Sequence, residues 1–422
     1  MLKRIRDLLS IFKDVNKVII CLFALVTFCT FLSIPIFTST NHYKIVWILT
    51  IIYCLFIFGI CLFKYGFFIN TFLFFVIIYI FSIVCCSLIN YQGVFVYTSL
   101  LLSILLVVIF QAVSIDDCFK KTYLFSLFAS IVLFAFVFLF HYRKSIFSGN
   151  VYRLGQDFGD LNEIAIYFAL GLIISFKNIL KKDVKVLYRV VFAFLFLVFV
   201  ICGFLTGSKG FLLSSFISSV IIIFIFFGIK KWYFSIIAVA LMIIAVLLIL
   251  QINIFSTIRK RMIEAIVSLF SKNAETLDFS TLERSEMIID GIVLFLRSPV
   301  FGFGNYGFYL YSASEGYAWS HNQFTEILVQ YGVVGGIGFF VPMLLVVKNY
   351  FLGKKNSLAE DGFVLMLFVF SWFFSIAFDT LKIYPFIMAF IYSSSATTNN
   401  KSFCNRFLVS RLFTKKPKGE NN

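Results

Sequence analysis

The stretch Val186–Thr206 reads VLYRVVFAFLFLVFVICGFLT, and Arg189 is its one charged residue. A helix needs about 20 apolar residues to cross the hydrocarbon core of a bilayer, and this stretch supplies them. The rest of the chain is built in the same way. Of 422 residues, 61% are hydrophobic and 13% are charged. A soluble domain is nearer half apolar and a quarter charged, so the excess must face lipid.

Working outward from this stretch, further apolar segments recur on both sides. Val18–Phe37, Ile45–Phe63, Phe67–Ile89, Val94–Val113, Tyr123–Phe140 and Asn162–Leu180 precede it. Phe211–Ile229 and Trp232–Phe255 follow it closely. Beyond a long loop lie Tyr331–Val347, Gly362–Leu381 and Ile383–Ser395. The last is short and starts near Pro385, which suits a tilted or broken span. Met1–Lys17 is basic, and no small-residue cleavage site follows Val18–Phe37, so that segment reads as a first transmembrane helix and not a signal peptide. The expected fold is a single all-α integral membrane domain with about twelve transmembrane helices. Nine fall in 18–255, an extracytoplasmic loop with short helices occupies 256–320, three helices fall in 321–395, and a basic tail covers 396–422.

The net charge of +16 follows from topology rather than from a nucleic-acid partner. With the N-terminus cytoplasmic, 24 of the 36 Lys and Arg residues fall in inner segments. That is the positive-inside bias, and it puts both termini and the tail inside. Lys44, Arg143, Lys144, Arg153, Lys209 and Lys382 stand in short outer loops, and six more basic residues stand in the long loop.

The outer segments hold the chemistry. Arg153-Leu154-Gly155 precedes Asp160-Leu161-Asn162-Glu163, where Asp160 is the expected helix cap with Glu163 three residues on. Lys209 sits in Gly207-Ser208-Lys209-Gly210, a turn short enough to hold it at the membrane surface. In the long loop, Ser280-Thr281-Leu282-Glu283 has the capping-box form and opens a helix that Ser298-Pro299 ends. Arg284, in the first turn, is poorly placed against the helix dipole unless it answers Glu283 or an outside anion. An isolated cation of this kind usually meets lipid phosphate. Arg153 and Lys209, however, lie in glycine-flanked turns where a phosphate can approach the backbone.

Ser320-His321-Asn322-Gln323 is a second capping-box match, opening a helix into Tyr331–Val347. At such a helix start the positive helix end keeps imidazole neutral, the form that accepts a proton. Asn322 and Glu326, four apart on one face, either orient a ligand there or close the cap. His42 and His141 stand at other outer edges without that setting. The nine cysteines show no CxxC and no zinc spacing, and no paired-carboxylate metal site is evident. Gly302-Phe303-Gly304-Asn305-Tyr306-Gly307 fits GxGxxG literally, but Pro299 precedes it and no βαβ unit surrounds it. It reads as a turn returning the chain toward the bilayer.

Arg153-Leu154-Gly155 with Asn162, Thr206-Gly207-Ser208-Lys209-Gly210, Glu283-Arg284 leading to Ser298-Pro299-Val300-Phe301-Gly302-Phe303-Gly304, and Ser320-His321-Asn322-Gln323-Phe324 through Tyr331-Gly332-Val333-Val334-Gly335 together resemble the O-antigen polymerase and O-antigen ligase family. The resemblance runs roughly from Arg153 to Gly338. The family often carries Arg at the position of Lys209; Lys meets phosphate as a point charge rather than a two-pronged donor. The resemblance implies a GT-C-like membrane glycosyltransferase of the cytoplasmic membrane with its site at the outer face. It implies a polyprenyl-pyrophosphate-linked oligosaccharide as donor, a sugar hydroxyl as acceptor, inversion at the anomeric carbon, and no metal or cofactor. Its implied roles are catalytic for His321 and Arg284, and substrate-binding for Arg153, Lys209, Asn162, Asn322 and Glu326. A flippase and a chain-length regulator are the implied partners. The Gly-Ser-Lys-Gly turn and the His-Asn-Gln-Phe-x-Glu run look more like polymerases than ligases. A lipid-linked sugar transporter is the alternative of another class, but the chain shows no internal repeat and divides nine spans to three.

Overall fold

A computed structural model describes residues 2–37, 43–60, 70–89, 96–115, 117–148, 153–181, 184–228, 232–251, 256, 259, 260, 263, 279–313, 319–353 and 357–395. The basic tail 396–422, His42 and residues 264–278 of the long loop lie outside the described residues. Every regular element among the described residues is helical.

In chain order the helices are α1 (Leu2–Phe37), α2 (Tyr43–Ile60), α3 (Thr71–Ile89), α4 (Val96–Val113), α5 (Asp117–His141), the short α6 (Arg143–Phe147), α7 (Leu161–Leu180), α8 (Val186–Thr206), α9 (Lys209–Phe227) and α10 (Trp232–Leu250). There follow α11 (Phe279–Arg297), the short α12 (Gly307–Tyr311), α13 (Gln323–Leu352), α14 (Ser357–Trp372) and α15 (Tyr384–Ser395). Seven of the described helices are long and apolar enough to cross a membrane: the 18–36 part of α1, and α3, α5, α7, α8, α9 and α13. α8 has the bounds expected from its sequence, because Gly207 adopts the left-handed conformation (φ 64°) that ends it.

Burial separates the bundle's interior from its lipid-facing rim. The spanning window of α7 is 72% buried, against 28% for α8. Large apolar side chains such as Val186, Leu187 and Leu241 face outward, where only lipid can cover such a surface. The chain is a membrane protein. Every residue of α15 is buried, which explains its length: a helix enclosed by protein need not match the bilayer. Pro385 lies in its first turn, where no helical hydrogen bond is lost, so α15 is short without being broken.

The expected span Gly362–Leu381 is interrupted. α14 stops at Trp372, and after an irregular stretch a single 3-10 turn covers Phe378–Thr380. Irregular backbone at such a depth is tolerated where it is buried in protein or lines a cavity, and Ile376, Ala377, Thr380 and Leu381 do line one.

α13 contains the second interruption. Gly332 has φ 60° and ψ −160° inside the helix. The groups freed by this break are satisfied by the segment after α11. Phe303 N–H donates to Val329 O at 2.8 Å and Gly304 N–H to Gln330 O at 2.7 Å. In the other direction, Val333 N–H donates to Pro299 O at 2.8 Å and Val334 N–H to Val300 O at 3.2 Å. Residues 299–304 are therefore stitched along the break, and Phe303 and Gly304 of the GxGxxG match take part in that stitch. Space demands its glycines: a Cβ on Gly332 would stand 2.3 Å from Val300 O, and one on Gly302 would stand 2.6 Å from Gln330 O.

Gly332→Ala places a side chain at positive φ against backbone, so it should cost at least about 1–3 kcal/mol and lower the melting midpoint in detergent by several degrees. Gly59→Ala, with nothing within 4 Å of its added Cβ, should leave the midpoint unchanged or raise it. Size-exclusion after a temperature series measures both; equal midpoints for Gly332→Ala and the parent would contradict the stitch.

Candidate active site

Two loops meet at the start of α7. Leu154 N–H donates to Leu205 O at 2.8 Å, tying the Arg153-Leu154-Gly155 segment to the end of α8. Asp160 caps α7 as expected, accepting from the N–H groups of Asn162 at 2.7 Å and Glu163 at 3.1 Å. Glu163 does not complete a capping box through Oε1, which is buried without a hydrogen-bond partner. One turn away, Ser208 caps α9 and donates its hydroxyl to Asn162 Oδ1 at 2.9 Å. That bond joins the Arg153–Asn162 segment to the Gly207–Gly210 turn, and Lys209 follows directly as the first residue of α9. At one flank, His141 pairs with Asp157 at 3.1 Å in an exposed contact.

The region around His321 is built differently from the capping box that its sequence matches. Asn322, not Ser320, caps α13, with its Oδ1 accepting from Phe324 N–H at 3.0 Å and Thr325 N–H at 3.2 Å. Glu326 is fully buried. Its carboxylate accepts from Ser320 N–H at 2.6 Å and from the Gln330 side chain. The carboxylate thus reaches two positions further back than the N-cap that a capping box would engage, and His321 lies just outside the helix in a left-handed conformation (φ 51°). The polar atoms of Asn322 and Glu326 hold the entry to α13; of the two roles read from their spacing, the geometry fills the cap. Gln323 completes the anchor. Its Nε2 donates to Asp379 Oδ1 at 2.8 Å, its Oε1 accepts from the N–H groups of Phe378 and Asp379, and Tyr79 donates to Asp379 Oδ2 at 3.1 Å.

His321, Asp160 and Asn162 line one cavity of about 240 Å³, with Ser99, Asn305, Tyr306, Trp319 and the interrupted segment below α14 forming the rest of its wall. The His321 ring is held below its usual pKa, first by burial and then by the positive charge of Arg284; Asp160 and Glu283 pull the other way. Enclosure and a neighbouring guanidinium both favour the neutral ring. Arg284 lies two residues deeper in α11 than expected, because the helix begins at Phe279 and not after Ser280. Arg153 and His321 are two of the three non-glycine residues with positive φ among those described; Tyr306 is the third. Such strain costs on the order of 1–3 kcal/mol per residue and collects at functional sites.

The cavity wall contains residues that sequence reasoning passed over: Asn305, Tyr306, Trp319 and Ser99. Asn305 and Tyr306 lie inside the GxGxxG match, which was read only as a turn. Asp379 was missed as well, although an acidic residue within an expected span is itself a signal.

Residues 192–340 match the family model described as O-antigen ligase (Wzy_C). Members of that family are membrane enzymes of the glycosyltransferase or ligase type. The match includes Lys209, Arg284, His321 and both sides of the Gly332 stitch, and it ends short of Asp379. No curated protein matches the chain.

The environment of His321 predicts its titration. Burial and Arg284 both favour neutral imidazole, so its protonation midpoint should lie below 6.5. Removing the cation in Arg284→Gln should raise it. Carbethoxylation of His321, which consumes neutral imidazole, can be followed across pH by peptide mass spectrometry. A midpoint at or above 6.5, or one indifferent to Arg284→Gln, would contradict the assignment.

Proposed function

With an O-antigen ligase family domain at residues 192–340 as the premise, we propose that the chain joins polyprenyl-pyrophosphate-linked oligosaccharide repeat units into a surface polysaccharide, O-antigen or capsule, at the outer face of the cytoplasmic membrane. The observation that carries this reading is that His321 lines one cavity with Asp160 and Asn162, with the Arg284 charge near enough to lower the pKa of its ring.

In the proposed reaction the acceptor hydroxyl attacks the anomeric carbon of the donor glycan. His321 takes the hydroxyl proton as the new C–O bond forms. The anomeric C–O bond to pyrophosphate breaks, and the leaving group carries away the electron pair. Negative charge grows on pyrophosphate as it leaves, so fixed cations stabilise the transition state more than the ground state. Arg284, Arg153 and Lys209 are assigned that role. Attack opposite the leaving group inverts the anomeric centre. The Asn162–Ser208 bond keeps the two cation-bearing loops in register, while Asn322 and Glu326 hold His321 in place. A flippase would supply the lipid-linked substrate, and a chain-length regulator would set when growth ends.

The family's description favours a second reading, in which the finished glycan passes to a lipid A core. The two share donor chemistry and differ in acceptor. The polymerase reading is preferred for the Gly-Ser-Lys-Gly turn and the His-Asn-Gln-Phe-x-Glu run.

In a deletion strain carrying the gene on a plasmid, Arg284→Ala and Arg153→Ala should each reduce long-chain glycan by about 10²–10³ with unchanged protein in the membrane. Lys209→Ala should be impaired, and Lys209→Arg should retain activity. Gel ladders of the extracted glycan measure this. Normal ladders from Arg284→Ala would remove the pyrophosphate role. Single repeat units persisting on lipid A in the deletion strain would support polymerase, and free undecorated core with intact long chains on polyprenyl would support ligase.

A further inference from the structure

Two aromatic residues on the cavity wall have no part in the reaction above. Trp319 stands two residues before His321, and its ring packs against Tyr306 with centroids 4.6 Å apart at 41°. Both side chains are half-buried and line the cavity, rather than facing lipid as the aromatic residues of a membrane belt do. Tyr306 is held at φ 62°, two residues after the stitched 299–304 segment and just before Gly307, whose N–H donates to Gly304 O at 2.9 Å. Beside it Asn305 is 1% exposed and accepts from the Ser99 hydroxyl at 3.4 Å.

We propose that Trp319 and Tyr306 form the subsite that seats the acceptor's terminal pyranose ring, with Asn305 and Asp160 engaging its hydroxyls; this rests on the glycosyl-transfer reading. A pyranose has a face of C–H groups and a rim of hydroxyls. A flat aromatic side chain covers the first with little loss of conformational freedom, and a few placed polar groups orient the second. The volume agrees. Pockets for drug-sized ligands run to about 300–1,000 Å³, so 240 Å³ suits a sugar-sized group. The position agrees as well, because the ring seated on Trp319 presents its hydroxyl to His321, the residue assigned to the acceptor.

The test uses the purified full chain in nanodiscs with lipid-linked repeat units. Trp319→Leu should raise the substrate concentration for half-maximal elongation about tenfold, the size of one aromatic contact, with saturated turnover nearly unchanged. Trp319→Phe, which keeps a ring, should stay near the parent. A loss confined to saturated turnover or to melting temperature in both variants would overturn the subsite and leave a packing role. The parent alone gives a second measurement. Repeat-unit oligosaccharide, freed from its lipid by mild acid, should protect Trp319 from oxidation by N-bromosuccinimide and leave Trp232, exposed on α10, unprotected. Absence of protection in a parent that elongates overturns the subsite. A parent that forms no polymer from lipid-linked units overturns the polymerase reading itself, so the two failures are distinct.

Discussion

The break at Gly332 and the four backbone hydrogen bonds that repair it organise the rest of the site. Inside a bilayer an unsatisfied peptide group costs several kcal/mol, so α13 can be interrupted only if another segment supplies donors and acceptors in the right order. Residues 299–304 do so on both sides of the break, with donors at Phe303 and Gly304 and acceptors at Pro299 and Val300. This pairing holds α11 against the first turns of α13. It therefore fixes two things at once: the approach of Arg284 to His321, and the presentation of Asn305 and Tyr306 to the cavity.

The second interruption, after Trp372, is matched to the first. Gln323 begins α13 and spends its whole amide on Phe378 and Asp379, so the start of one broken element is the anchor for the other. With Asn322 capping the helix and Glu326 reaching back to Ser320, His321 is clamped from both sides in a conformation it would not choose alone. The clamp is polar and buried. The imidazole is left half-enclosed beside a guanidinium, which favours its neutral form. The reaction proposed above requires that combination, a base that is uncharged and a cation close enough to meet a departing anion.

Much of the fold was legible because lipid sets a length. Val186–Thr206 coincides with α8 and other apolar runs overlap observed helices, although α1, α5 and α13 begin well before the runs that mark them. Hydropathy records composition and is blind to backbone, so it carried Gly362–Leu381 as one span where the chain unwinds after Trp372. It likewise gave no sign that α13 is broken. The caps were legible where the partner is local. Asp160 behaves as its sequence implies, whereas at Ser320-His321-Asn322-Gln323 a long-range anchor on Asp379 competes with the local pattern and moves the cap to Asn322. Arg153, Lys209 and Arg284 stood out as basic residues in expected outer segments, whereas His321, Asn322 and Glu326 stood out by their place at an expected helix start and Asn162 by the family resemblance. Asn305, Tyr306 and Trp319 carry no charge and reach the cavity only through the stitch, so no local pattern marked them.

The central claim is that His321 accepts the acceptor proton, and glutamine at that position tests it most directly, since its amide can hydrogen-bond but cannot take a proton. The measurement is polyprenyl pyrophosphate release from lipid-linked repeat units by purified protein in proteoliposomes. The account predicts that His321→Gln loses about 10²–10⁴ in turnover while the half-saturating substrate concentration stays within a few-fold of the parent. Turnover equal to the parent would contradict the base assignment and leave His321 only a positioning role.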